Sequence, residues 1–90
     1  MNPNEVAALI RAGLPDATVT VQSEDNTHFA ARVVSASFAG QRAIARHQAV
    51  YRALGGRVGG QIHALSIEAL TPEESAAAGG GAAGAGPAHG

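Results

Sequence analysis

The last stretch of the chain sets the limit on everything before it. From Ala76 to Gly90 the sequence is alanine and glycine, broken by one proline and a late His89, a composition that cannot bury enough apolar surface to offset its ordering entropy. The expected organisation is therefore one domain over residues 1–75 and a disordered Ala/Gly-rich tail over residues 76–90. A domain of that size buries only ~60–65% of the surface its unfolded chain exposes, which leaves room for one modest core and none for a deep, water-free catalytic pocket. Much of the apolar content is alanine, and Phe29, Phe38 and Tyr51 supply all the aromatic bulk. There is no cysteine, so any metal must be held by His, Asp or Glu, or by ligands from a partner. Met1-Asn2-Pro3-Asn4-Glu5 lacks the features of a signal peptide, and no apolar run approaches the ~20 residues that span a bilayer, so the expectation is a soluble, cytoplasmic protein with no membrane partner.

Local signals order the elements. Asn2 reads as an N-cap, with Pro3 at the first helical position and Glu5 closing a capping box. Val6, Leu9, Ile10 and Leu14 then share a face before Gly13 and Pro15 end the helix. Val19 and Val21 alternate with Thr18, Thr20 and Gln22 in a half-buried strand, and Ser23 to Thr27 form a polar turn. His28 to Ser35 reads as the hairpin partner, with Phe29, Ala31 and Val33 inward. A helix from Gln41 to Leu54 carries Ile44, His47, Val50 or Tyr51, and Leu54 on one stripe. Gly55-Gly56-Arg57-Val58-Gly59-Gly60 has too many glycines for a stable helix at ~1 kcal/mol each relative to alanine. His63 to Leu70 returns to strand, with His63, Leu65, Ile67 and Ala69 on one face. Thr71-Pro72-Glu73-Glu74 is a second helix-start signature. The class is α+β, a three-stranded sheet with helices packed on one face, in the order α-β-β-α-(short α or loop)-β-α.

Charge is unevenly spread. All six basic residues are arginine, and five of them (Arg32, Arg42, Arg46, Arg52, Arg57) lie between Asn26 and Ile67, where there is no acid. That stretch reads either as a solvated surface or as a face for an anionic partner. No spacing sets a nucleophile beside a base and no paired carboxylates converge, so an enzyme is not expected. From spacing alone His63 reads as a core histidine bonded to a backbone carbonyl, and His47 as a helix histidine packed on the sheet.

Four ordered blocks, Phe38-Ala39-Gly40, Arg46 to Leu54 (RHQAVYRAL), Ile62 to Ile67 (IHALSI) and Thr71-Pro72-Glu73-Glu74, resemble the BolA family. Thr27-His28-Phe29 and the absence of cysteine look more like its short bacterial branch. The resemblance implies a fold like a type II KH domain and two lines of function. In one, BolA-like proteins pair with a monothiol glutaredoxin and its glutathione around a shared [2Fe-2S] cluster, as adaptors in iron–sulfur assembly or iron homeostasis. In the other, members bind DNA and regulate transcription in stress response and cell morphology. His63 matches the family's C-terminal ligand position, and the second ligand comes from the turn between the first two strands, where His28 is the first candidate and Asp25 a weaker oxygen alternative.

Arg46 and Tyr51 are expected at a partner-facing surface, Arg42, Arg46, Arg52 and Arg57 against phosphates. Gly56-Arg57-Val58-Gly59 has the spacing of the Gly-X-X-Gly clamp of KH domains. A homodimer of the apoprotein is a further partner arrangement. Ser75 departs from the family pattern, standing where many relatives carry tryptophan.

Overall fold

The computed structural model describes residues 1–55 and 64–78. Its elements are α1 (Pro3–Gly13), β1 (Thr18–Gln22), β2 (His28–Val34), a 3-10 turn (Ala36–Phe38), α2 (Ala43–Leu54), β3 (Ala64–Leu70) and α3 (Pro72–Ala77). The strands form one mixed sheet in the order β1-β2-β3. The hairpin pairs β1 with β2 antiparallel, Thr18 opposite Val34 through Gln22 opposite Ala30. β3 runs parallel to β2, His28 opposite Ala64 through Val34 opposite Leu70. A parallel neighbour cannot be reached by a tight turn, and α2 makes the crossover.

Both capping boxes form. Asn2 Oδ1 accepts the Glu5 N–H at 2.9 Å while Glu5 Oε1 accepts the Asn2 N–H at 2.8 Å, and Thr71 and Glu74 make the same reciprocal pair. The second box opens a helix that runs to Ala77, two residues past the boundary expected from composition.

One face of the sheet is dry. Phe29, Ala31 and Val33 of β2 pack with Val6 and Ile10 of α1, Val50 and Leu54 of α2, and Phe38, while Val19, Val21, Leu65, Ile67 and Ala69 close in from the flanking strands. The other face carries rows such as Thr20-Arg32-Glu68 and Gln22-Ala30-Ser66 and has no helix on it among the described residues. The expected parities of all three strands are met over the described residues, while His63 lies outside them.

The stripe on α2 differs from the expected one. Val50 and Leu54 are buried, but Ile44 is 68% exposed and Tyr51 40%, so the buried side is rotated away from the 44–47–51 line. The cause is a close helix crossing: a β-carbon placed on Gly13 would lie 2.5 Å from Ala53 Cβ and 3.0 Å from its Cα. The small residues at this contact turn the Ala49, Val50, Ala53 and Leu54 side of α2 inward.

Gly13→Ala should therefore destabilise the fold by about 1–3 kcal/mol through overpacking, despite alanine's better helix propensity. Urea unfolding checks this, and Ala53→Gly in the same chain should recover part of the loss.

Candidate functional site

The β1–β2 turn is organised by one carboxylate. Asp25 Oδ1 accepts the backbone N–H groups of Thr27 and His28, each at 2.9 Å. Oδ2 lies 2.8 Å from Nδ1 of the His28 ring. Ser23 Oγ accepts the Asn26 N–H at 2.9 Å, and Asn26 takes a left-handed φ of 57°, which asparagine tolerates better than most residues. The backbone N–H of His28, then its ring, then the N–H of Thr27 hold the Asp25 carboxyl well below the usual carboxylate range.

His28 itself is 70% exposed, and its other ring nitrogen, Nε2, has no partner among the described residues. An imidazole with one ring nitrogen occupied and the other accessible has a donor nitrogen of the kind that metal ions such as iron accept. Among the described residues no group of three or more His, Cys, Asp or Glu converges on a metal position.

His28 opens β2 and pairs with Ala64, the first described residue of β3, whose N–H donates to the Thr27 carbonyl at 3.4 Å. The residue bonded to Ala64 on its N-terminal side is His63. His63, Arg57 and the Gly56-Arg57-Val58-Gly59 segment lie outside the described residues.

Arg46 is bonded on several sides within the fold. Its guanidinium donates from Nε to the Gln41 carbonyl at 2.9 Å, and from Nη1 to the Ala69 carbonyl at 3.0 Å and Glu74 Oε1 at 2.6 Å. Nη2 reaches Glu74 Oε2 at 3.2 Å, and the group lies 5.8 Å from the centre of the Phe38 ring. With 12% of the side chain exposed, Arg46 is a clamp joining α2, the outer edge of β3 and the start of α3. Glu74 is lowered to about 2, chiefly by that guanidinium and then by the Thr71 N–H.

Acids from the end of the chain thus return to the basic middle. Arg32 meets Glu68 at 3.6 Å across the open sheet face, leaving Arg42 and Arg52 without an ion pair among the described residues. Arg42 is the N-terminal flanking residue of α2, with no side-chain cap bond. Tyr51 shares its exposed helix face with Ile44, one heptad earlier, while His47 is half-buried.

Sequence reasoning also passed over a polar cluster built on one buried hydroxyl. Ser35, 1% exposed, donates to Asp16 Oδ2 at 2.6 Å, lies 2.6 Å from the Ser37 hydroxyl and accepts the Ser37 N–H at 3.1 Å. The Ser35 hydroxyl, followed by backbone N–H groups, lowers the Asp16 pKa. The cluster ties the first loop to the 3-10 turn. Asp25 was legible as a turn residue, since Asp and Asn side chains bond the backbone two residues on, but its second oxygen gave no signal.

The model of BolA-like proteins matches residues 12–74. The chain belongs to the BolA family. A protein from the rpoN–murA intergenic region of Acinetobacter guillouiae is 37% identical over 75 residues, covering 82% of this chain and 89% of that protein. The protein of Haemophilus influenzae named DNA-binding transcriptional regulator BolA is 42% identical over 48 residues, which are 53% of this chain and 47% of the relative. The solved structure of a BolA homologue from Coxiella burnetii superposes with a TM-score of 0.71 at 37% identity, covering 84% of this chain and 97% of that one. The three helices and mixed three-stranded sheet are those of this family's structures, and no helix among the described residues is long and apolar enough to cross a membrane.

The clamp has a pH signature. Because the folded state depresses the Glu74 pKa below its unfolded value of ~4.3, its stabilising contribution is complete above that value and is lost as pH falls toward about 2. Amide-exchange protection across residues 72–78 should fall through this window, and Glu74→Gln should show reduced protection already at neutral pH. Equal protection in the variant and the parent would contradict the clamp.

Proposed function

We propose that this BolA-family chain is an adaptor in iron–sulfur cluster assembly and trafficking or iron homeostasis. It pairs with a monothiol glutaredoxin and its glutathione around a shared [2Fe-2S] cluster, with His28 and His63 as its own ligands. The observation that carries this reading is the register of the sheet: His28 pairs with Ala64, the residue to which His63 is bonded. A chain without cysteine offers imidazole and no thiolate, so the sulfur ligands fall to the partner. When bound, the cluster supplies a transferable iron–sulfur unit, and imidazole in place of thiolate on one iron raises the reduction potential.

The chain's own part is to offer the exposed His28 imidazole where β2 begins beside Ala64, with His63 adjacent to Ala64 in the sequence, and to present a surface for the partner. Ile44 and Tyr51, exposed on one side of α2, supply an apolar contact of the kind that anchors interfaces, with Arg42 at the start of the same helix.

The alternative is a DNA-binding regulator of transcription, favoured by the name of the Haemophilus relative. Its electrostatic basis is thinner than the sequence suggests. Among the described residues Arg32 and Arg46 are paired with acids, which leaves Arg42 and Arg52 for phosphates, with Arg57, outside the described residues, as a third candidate by sequence. About three phosphate contacts give a slope of log K against log salt near −3, shallow for a sequence-specific regulator.

Mixing the apoprotein with cluster-loaded monothiol glutaredoxin, followed by visible absorption and circular dichroism, tests the leading reading. A new spectrum is expected, abolished by His63→Ala and weakened by His28→Ala. An unchanged spectrum, or a change that survives His63→Ala, contradicts it. Tight duplex-DNA binding with a slope much steeper than about −3 would favour the alternative.

A further inference from the structure

We propose that Asp25 is a positioning residue for His28, fixing its imidazole with the proton on Nδ1 and leaving Nε2 as the metal-donating nitrogen. The tautomer follows from the geometry of the turn; its use rests on the reading of His28 as a cluster ligand.

The two oxygens of Asp25 have separate tasks. Oδ1 takes two backbone N–H groups, those of Thr27 and His28, so the carboxylate cannot turn without breaking the turn itself. Oδ2 is thereby held 2.8 Å from Nδ1 of His28. An ionised carboxylate only accepts hydrogen bonds, and a neutral imidazole donates from one nitrogen and accepts at the other. Contact at this distance requires the proton on Nδ1. An imidazole free in water favours the opposite form, with the proton on Nε2, so the turn reverses the intrinsic preference.

The consequence is specific to metal binding. Nδ1 is occupied by the turn, whereas Nε2 carries an unshared pair on a side chain that is 70% exposed. A carboxylate on the far nitrogen also strengthens the imidazole as a donor and restrains the ring, and loss of such a partner typically costs ~10–100-fold in metal affinity.

Asp25→Asn separates this role from a merely structural one. The amide oxygen can keep both backbone N–H bonds, while the amide nitrogen, now facing Nδ1, needs an acceptor. The proton then relocates through solvent to Nε2, and the donor nitrogen is blocked with the turn intact. Asp25→Ala removes both functions.

Long-range proton–nitrogen correlation spectra of the nitrogen-15-labelled full chain, recorded well above the ordinary histidine pKa of ~6.5, report the tautomer directly. In the parent protein His28 should show protonated Nδ1 and unprotonated Nε2, and in Asp25→Asn the reverse, with the backbone fingerprint outside the turn unchanged. A parent protein with the proton on Nε2 overturns the proposal without recourse to any variant. In a second arm with cluster-loaded glutaredoxin, Asp25→Asn should lose the cluster to a chelator ~10-fold faster or more, and equal retention overturns the positioning role. A parent protein that shows the Nδ1–H form yet takes up no cluster supports the tautomer assignment and refutes the cluster reading, so the two failures are distinguishable.

Discussion

The parallel pairing of β2 with β3 is the constraint on which the rest of this structure depends. It demands a crossover, and α2 is that crossover; a helix making it has to lie on the sheet, and the face it lies on becomes the dry one. α1 completes the same layer by crossing α2 at the Gly13–Ala53 contact. The opposite face is left with Thr20, Gln22, Ala30, Arg32, Ser66 and Glu68. The same pairing sets His28 beside Ala64, which makes the hairpin turn and the start of β3 neighbours although 36 positions separate them in the sequence.

Around that frame the charged groups act locally. The acid-free arginine stretch looked like a basic surface, but Glu68 and Glu74 come back across the fold to Arg32 and Arg46. Arg46 binds a loop carbonyl, a strand-edge carbonyl and a helix-capping carboxylate together. It also covers part of the outer edge of β3, where unpaired backbone groups would otherwise invite another strand. Arg46, a residue expected at a partner-facing surface, secures the last helix through Glu74.

The elements were legible because their signals are local. Two capping boxes, alternating valines in β1, Phe29-x-Ala31-x-Val33 in β2 and Leu65-x-Ile67 in β3 each depend on residues within one turn or one strand, and each has its expected place in the structure. The inward face of α2 was not legible. Ile44 is large and apolar, yet the choice of face was made by Gly13, thirty-one positions earlier, and by the small residues that let two helices touch. The ion pairs of Arg32 and Arg46 were hidden for the same reason, since they join residues whose proximity exists only after the sheet forms. At the site, His28 was visible by type and by resemblance. Its orientation by Asp25 depends on one carboxylate bonding the backbone through one oxygen and the ring through the other, and residue spacing does not encode that division.

The proposed adaptor role requires this chain to contribute imidazole nitrogen to a shared cluster. Electron–nuclear double resonance on the reduced [2Fe-2S] complex, formed from glutaredoxin and this chain labelled with nitrogen-15 histidine, tests it most directly. Strong nitrogen couplings are expected from two histidines, one of which disappears in His28→Ala and the other in His63→Ala. A cluster complex with no histidine nitrogen coupling would contradict it.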